Sequence, residues 1–148
     1  MPNLTWMPLP PSFQLQAASV DSPWLTMPFE FSAIATYLKL VASGTWSPFA
    51  GLKDCGPDGL VGQTFPDEQL LVTDCAVGTL VGRFGGSSAS LKTQTPDTSA
   101  GESKPFAVGR VAIVKLPDKF VGPLFLGFNV LRHPVKVQSL QVDVFVAS

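Results

Sequence analysis

The chain of 148 residues carries ten Lys or Arg and eleven Asp or Glu side chains, and its formal net charge is −1. Clustered positive charge, which binding to a phosphate backbone requires, is absent, so we expect no nucleic-acid partner. Hydrophobic residues make up 45% of the chain and charged residues 14%, yet no apolar stretch reaches the roughly 18 residues of a membrane-spanning helix. This apolar surplus predicts burial against other subunits, and therefore a homo-oligomer.

Residues 1–29 are predicted to form a proline-rich N-terminal arm. They hold six of the fourteen prolines, and because proline lacks a backbone donor we expect neither a long helix nor a central strand there. Trp6 and Trp24 favour an extended arm that packs on the body or on a neighbouring subunit. The first residues lack the basic and apolar regions of a signal peptide, which leaves the cytoplasm or export by a non-Sec route as expectations.

Residues 30–148 are predicted to form one β-sandwich domain. Alternating or apolar runs between Gly and Pro turns predict strands over 31–42, 70–74, 78–84, 111–116, 124–129 and 140–146. Gly44 should end the first of these strands, and 47–68 should be a long loop. No segment shows a helical stripe, which indicates an all-β fold, an antiparallel β-sandwich or jelly roll.

Two further features concern the frame of this domain. The segments 37–46 and 122–129 are predicted to be partners that form the spine of the sandwich. Residues 86–104, rich in Ser, Thr, Gly and Pro, are predicted to be a flexible insertion because they can bury little apolar surface.

The sequence contains no arrangement that points to catalysis. The one histidine, His133, precedes a proline, and neither a nucleophile motif nor a zinc or phosphate-loop motif accompanies it. We therefore expect a protein that is not an enzyme.

The loop between the first strands collects acidic residues. Five carboxylates lie within residues 54–74, namely Asp54, Asp58, Asp67, Glu68 and Asp74. Such a loop can wrap a hard cation such as calcium, or it can simply be solvated. Trp46 and Phe65 flank it and could either line a shallow pocket or pin the loop to the sandwich. Cys55 and Cys75 could form a disulfide or remain two reduced thiols.

Several short motifs follow one another in order: Leu40-Val-Ala-Ser-Gly-Thr-Trp-Ser-Pro-Phe49, Cys55-Gly-Pro-Asp-Gly59, Phe65-Pro-Asp-Glu68, the run over 70–85, Phe106-Ala-Val-Gly109 and Leu124-Phe-Leu-Gly-Phe-Asn129. In this order they resemble the PA-I galactophilic lectin family. The resemblance covers about residues 30–148 and implies a jelly-roll sandwich with the galactose-binding-domain-like fold. It leaves the arm unexplained.

The resemblance also implies where a site would lie and what it has lost. In that family a calcium ion bridges the protein and galactose, held by an Asn-Asp sequence and an Asn pair. Here Asn129 matches, but Val130 stands in place of the Asp, and Val135 and Lys136 in place of the pair. Because a hard cation needs several oxygen ligands, we expect a degraded calcium loop, no metal site and no cofactor.

The expected function is therefore a lectin-like module that binds a glycan or glycoconjugate without calcium. The expected carbohydrate-binding residues are Trp46, Asp58, Phe65, Asp67, Glu68 and Asn129. The alternative is a structural or protein-interaction subunit on a lectin-like sandwich that has lost its sugar site.

Overall fold

The structure is a computed structural model that describes residues 5–20, 24–27, 37–84, 105–115, 124–130 and 134–147. The predicted insertion at 86–104 and His133 lie outside these residues. The described strands are Met7–Val20 (β1), Leu25–Thr26 (β2), Tyr37–Ser47 (β3), Leu80–Phe84 (β4), Phe106–Ala107 (β5), Val111–Lys115 (β6), Leu124–Phe128 (β7) and Val135–Ala147 (β8). A 3-10 turn covers Asp67–Gln69.

The strands form two four-stranded antiparallel sheets. Sheet A has the order β1-β8-β3-β6, and sheet B has the order β2-β7-β4-β5. The sheets pack face to face, so the predicted all-β antiparallel sandwich is confirmed. Within the described part of the chain, no helix is long and apolar enough to cross a membrane.

The core forms where alternating side chains of sheet A meet those of sheet B. Leu38 and Leu40 on β3 and Val142 on β8 have no exposed surface and pack against Leu124 and Leu126 on β7. Burying a side chain of this size stabilises the fold by about 1.5–3 kcal/mol. The core is therefore built by the period-two alternation of the two long strands.

The outer face of sheet B is covered as well. A second apolar cluster of Trp24, Leu71, Val81 and Phe125 lies on it, and β4 and β7 are buried at every position. The guanidinium of Arg83 lies 4.7 Å from the ring centroid of Trp24 and 4.9 Å from that of Phe125. Among the described strands, it is therefore the outer face of sheet A that is broadly exposed to solvent.

The two segments predicted as the spine of the sandwich lie in opposite sheets. The first forms β3 of sheet A, and the second contains β7 of sheet B. They meet across the core, where the rings of Trp46 and Phe128 make an edge-on contact with centroids 4.9 Å apart.

Gly44 does not end β3, and that prediction was wrong. The strand continues through Gly44 to Ser47. Gly44 has a φ of +139°, and a Cβ placed there would lie 2.2 Å from the backbone oxygen of Ser139. The glycine is therefore needed for the close approach of β8, and it lets the strand continue.

Part of the proline-rich arm is the edge strand β1. It pairs with β8 from Met7↔Val146 to Val20↔Val135, and the register shifts between Leu9 and Phe13. The shift spans two prolines at positions 10 and 11, which cannot donate to the neighbouring strand. A bulge on an edge strand is the place in a sheet that tolerates such residues.

The strand predicted over 70–74 is absent, and that prediction was wrong. These residues form bends and turns after the 3-10 turn. Leu70 lies in the main core, whereas Leu71 lies in the cluster on the outer face of sheet B. The backbone of this loop is not paired with a strand. It is hydrogen bonded to the side chain of Asn129, which follows β7.

Candidate functional site

Trp46 pins the Gly/Pro loop to the sandwich. Its side chain is fully buried, and its Nε1 donates a hydrogen bond to the backbone oxygen of Gly78 at 2.8 Å. Its backbone pairs with Cys55 through two hydrogen bonds of 2.9 and 2.8 Å. Of the two roles considered for Trp46, the geometry therefore matches the structural one, since a sugar cannot reach the ring.

Asn129 holds the loop over 72–76 in place. It is fully buried, and its Oδ1 accepts a hydrogen bond from the backbone N–H of Val72 at 2.8 Å. Its Nδ2 shares its two hydrogens among the backbone oxygens of Val72, Cys75 and Ala76, at 2.9, 3.1 and 3.0 Å. The side chain is thus a clamp with both ends engaged.

A calcium site of the lectin type does not fit these residues. The amide of Asn129 is committed to the loop, and the next residue, Val130, is an apolar side chain that is only 3% exposed. Among the described residues, no group of three or more His, Cys, Asp or Glu side chains could hold a metal ion.

Phe65, Asp67 and Glu68 lie together at the end of the long loop. Phe65 is half-buried and makes an edge-on contact with Phe49, with ring centroids 5.4 Å apart. Asp67 and Glu68 are exposed at the start of the 3-10 turn. The structure therefore presents the two carboxylates to solvent while Phe65 anchors the segment that carries them.

Asp58 lies beside an open hollow of about 750 Å³ between three loop segments, 58–63, 75–79 and 107–111. We call it the loop hollow. Its polar lining residues are Asp58, Gln63, Thr79 and Arg110. Val61, 83% exposed, and Val111, 58% exposed, are its prominent apolar side chains.

An ion pair lies on the rim of the loop hollow. The Nε of Arg110 is 3.0 Å from the Oδ2 of Asp58, and the side chains are 77% and 51% exposed. Exposed pairs of this kind contribute at most about 1 kcal/mol, so ligand hydroxyls can compete for both groups. The neighbouring Gly109 has a φ of +59°, and a Cβ there would lie 2.9 Å from Asp58 Oδ1. Glycine therefore allows the β5–β6 turn to approach Asp58.

The floor of the loop hollow is rigidly bonded. The one hydroxyl hydrogen of Thr79 is shared between the backbone oxygens of Ala76 and Asp58, which lie 2.8 and 3.2 Å from Oγ1. The N–H groups of Leu60 and Leu80 donate to the backbone oxygens at 77 and 57, each at 2.9 Å. These hydrogen bonds therefore hold the backbone at and around Asp58.

Cys55 and Cys75 are free thiols, and Cys75 lines the loop hollow. Burial, and to a smaller extent the charge of Asp54, raises the pKa of Cys55 to about 12. Burial and the charge of Asp74 also raise the pKa of Cys75. Both groups are therefore neutral at physiological pH, and neither is an activated nucleophile.

Comparison with protein-family models and with curated proteins finds no match for this chain. The site must therefore be argued from its own geometry. Sequence reasoning included Asp58 but missed Arg110, Gln63 and Thr79. Arg110 directly follows the Phe106-Ala-Val-Gly109 motif, and this position was the one sequence signal for it. Nothing in the sequence, however, places Arg110 beside Asp58.

Proposed function

We propose that this protein binds carbohydrate in the loop hollow and that it needs no metal ion to do so. The observation that carries the proposal is the exposed Asp58–Arg110 pair on the rim of an open hollow. A carboxylate accepts hydrogen bonds and a guanidinium donates them, so together they match sugar hydroxyls, which do both.

The remaining lining supports the same class of ligand. The amide of Gln63 can both donate and accept, and the exposed side chains of Val61 and Val111 offer apolar contact to the C–H face of a sugar ring. The hollow is open and wide, which suits the end of a glycan chain rather than a buried cofactor.

The resemblance to the PA-I galactophilic lectin family supports carbohydrate as the class of ligand. It also supports a jelly-roll arrangement of the strands. Asp58 belongs to the Gly-Pro-Asp-Gly motif of that resemblance, at 56–59. The specificity for galactose and calcium does not transfer, because Asn129 and Val130 cannot supply the ligands. Asp67 and Glu68 are proposed as secondary contacts from the exposed 3-10 turn.

A glycan array followed by titration calorimetry, each with and without a chelator, tests this proposal. We expect Asp58→Asn and Arg110→Gln to weaken binding roughly ten- to a hundredfold, because a hydrogen bond to a charged group contributes about 1.5–3 kcal/mol. The matched control is Lys53→Gln, an exposed charge on the same loop. Binding to no glycan, binding abolished by the chelator, or equal loss in the control would each reject the proposal.

A second candidate function is protein interaction, including self-association into a homo-oligomer. The observation that favours it is β6, an edge strand of sheet A on which Val111 and Ile113 are 58% and 61% exposed. Exposed apolar edge strands promote pairing with another chain. Light scattering over a range of concentrations should then show an oligomer that Ile113→Lys dissociates, and a wild-type monomer at every concentration would reject self-association through β6.

A further inference from the structure

The outer face of sheet A carries two adjoining rows of uncharged polar side chains. The first row consists of Gln14 on β1, Gln141 on β8 and Ser43 on β3, and the second of Gln16, Ser139 and Thr45 on the same strands. Ser139 is half-buried, and the other five residues are exposed. The residues that alternate with them on β8, Leu140 and Val142, are buried in the core, so the six side chains share the solvent face.

The two rows enclose a shallow slot. Its volume is about 200 Å³, and its lining includes Gln14, Gln16, Ser43, Ser139 and Gln141. Strands lie about 4.8 Å apart and successive outward residues about 6.6 Å apart, so the rows present hydrogen-bonding groups at a regular spacing. The slot can take a ring-sized polar group while its neighbours rest on the sheet.

The polar groups of the slot can still bind a ligand. Gln141 is exposed, and its Nε2 is 3.3 Å from Oδ2 of Asp143. In the described part of the chain, the side-chain amides of Gln14 and Gln16 have no protein partner. Each amide can donate two hydrogen bonds and accept two.

The same face continues along β8 to an aromatic end. Outward residues run from Ser139 through Gln141 and Asp143 to Phe145, a length of roughly 20 Å. At the far end the ammonium group of Lys39 lies 4.8 Å from the ring centroid of Phe145 and 5.1 Å from that of Trp6. Asp143 accepts a hydrogen bond from Ser12. The strip therefore runs from neutral polar groups, past the carboxylate of Asp143, to aromatic rings that contact the ammonium group of Lys39.

We infer that this strip is a second carbohydrate-binding surface, which takes an extended neutral glycan along β8. Hydroxyl groups of the glycan bind the two amide and hydroxyl rows, and the C–H face of a sugar ring packs on the aromatic end. The inference goes beyond the loop hollow and does not depend on it, because the strip uses other residues on another part of the molecule.

A protein partner fits the strip less well. The cores of protein interfaces are enriched in aromatic residues, Met and Arg and depleted in Ser, whereas the slot is lined by Gln and Ser. Each buried amide would also need a matched partner, because burying a polar group without one costs free energy. A glycan provides such partners at every ring.

The test is calorimetric titration of the full chain with neutral gluco-, manno- and galacto-oligosaccharides of increasing length. We expect affinity for at least one series to rise with chain length, and the double variant Gln14→Ala/Gln141→Ala to lose roughly tenfold or more in affinity for the longer ligands. Lys53→Gln is the control, because this exposed residue lines neither the slot nor the loop hollow, and it should leave both affinity and length dependence unchanged. Thermal unfolding checks that the exposed substitutions leave the fold unchanged.

Three results would overturn the inference. The first is that no neutral oligosaccharide binds, and the second is that Asp58→Asn abolishes binding while the double variant does not. The third is that dilution alone changes the amide NMR signals of Gln14, Ser43 and Gln141, which would make the strip a contact between copies of this chain. Failure of the loop hollow alone would instead appear as wild-type binding in Asp58→Asn together with weakened binding in the double variant.

Discussion

Replacing Asn129 by aspartate separates a structural clamp from a cation ligand, because the two roles predict opposite outcomes. In the clamp, Nδ2 donates to three backbone oxygens, those of Val72, Cys75 and Ala76. Asn129→Asp replaces this donor with a second oxygen and leaves only the hydrogen bond accepted from Val72 N–H. At a calcium site, the same substitution would add a favourable negative charge.

The expected loss of stability is large. Each lost hydrogen bond costs about 1 kcal/mol. Val72 O keeps the N–H of Cys75 and Ala76 O keeps Thr79 as donors, so only the part-buried Cys75 oxygen loses its donor, at a further cost of about 1–3 kcal/mol. An uncompensated buried charge costs about 3–5 kcal/mol in comparable sites. These contributions overlap, and together they predict a decrease of about 4 kcal/mol or more in the free energy of unfolding at neutral pH. Acidification should reduce the loss, since a protonated carboxyl can donate one hydrogen bond.

Urea denaturation followed by tryptophan fluorescence measures this loss. The control is Gln16→Glu, the same exchange of amide for acid at an exposed position, which should change stability by no more than about 0.5 kcal/mol. If Asn129→Asp lies within about 1 kcal/mol of the wild type, or if calcium stabilises the variant, the clamp is refuted.

Two further predictions concern backbone approach and a buried thiol. Gly44→Ala should destabilise the protein by about 3 kcal/mol or more, because it combines backbone strain with a clash against Ser139. Gly51→Ala, at a φ of +92° with open space around it, should cost only about 1–2 kcal/mol, and equal losses in thermal denaturation would contradict the close approach. Because burial and Asp54 raise the pKa of Cys55 from 9.0 to about 12, stability should fall as the pH rises from 9 towards 12. Cys55→Ala should flatten that part of the profile, and a profile it leaves unchanged would contradict this cause.

The sequence revealed strands of two kinds, namely strands with one buried face and the short apolar runs of β4 and β7, which are buried at every position. Residues 140–146 alternate cleanly because β8 faces the core on one side and solvent on the other. The first half of that strand alternates too, with Val135 and Val137 buried, but its position in the lectin resemblance suggested a loop. In β1 the prolines concealed a strand, since one bulge next to Leu9 is enough to accommodate them.

The candidate site was less accessible to prediction. Asp58 is part of a motif, whereas its partner Arg110 comes from a distant turn that the pairing of β5 with β4 and of β6 with β3 brings near. The sequence shows Asn129 as a polar residue at the end of a strand, which suits a ligand and a clamp equally well. Trp46 has the same ambiguity. Only the three-dimensional positions of their hydrogen-bond partners decide between these roles.

The order of strands in sheet A determines when that sheet can form. Its two longest neighbours, β1 and β3, both pair with β8, which follows every other described strand along the chain. A growing chain can therefore join β3 to β6 early, while β1 waits for the segment that will lie beside it. Such long-range pairing slows folding and exposes edges that favour aggregation. Deleting Val135–Ala147 should thus remove the partner of β1 and β3 at once. The addition of β8 is therefore the step that completes sheet A.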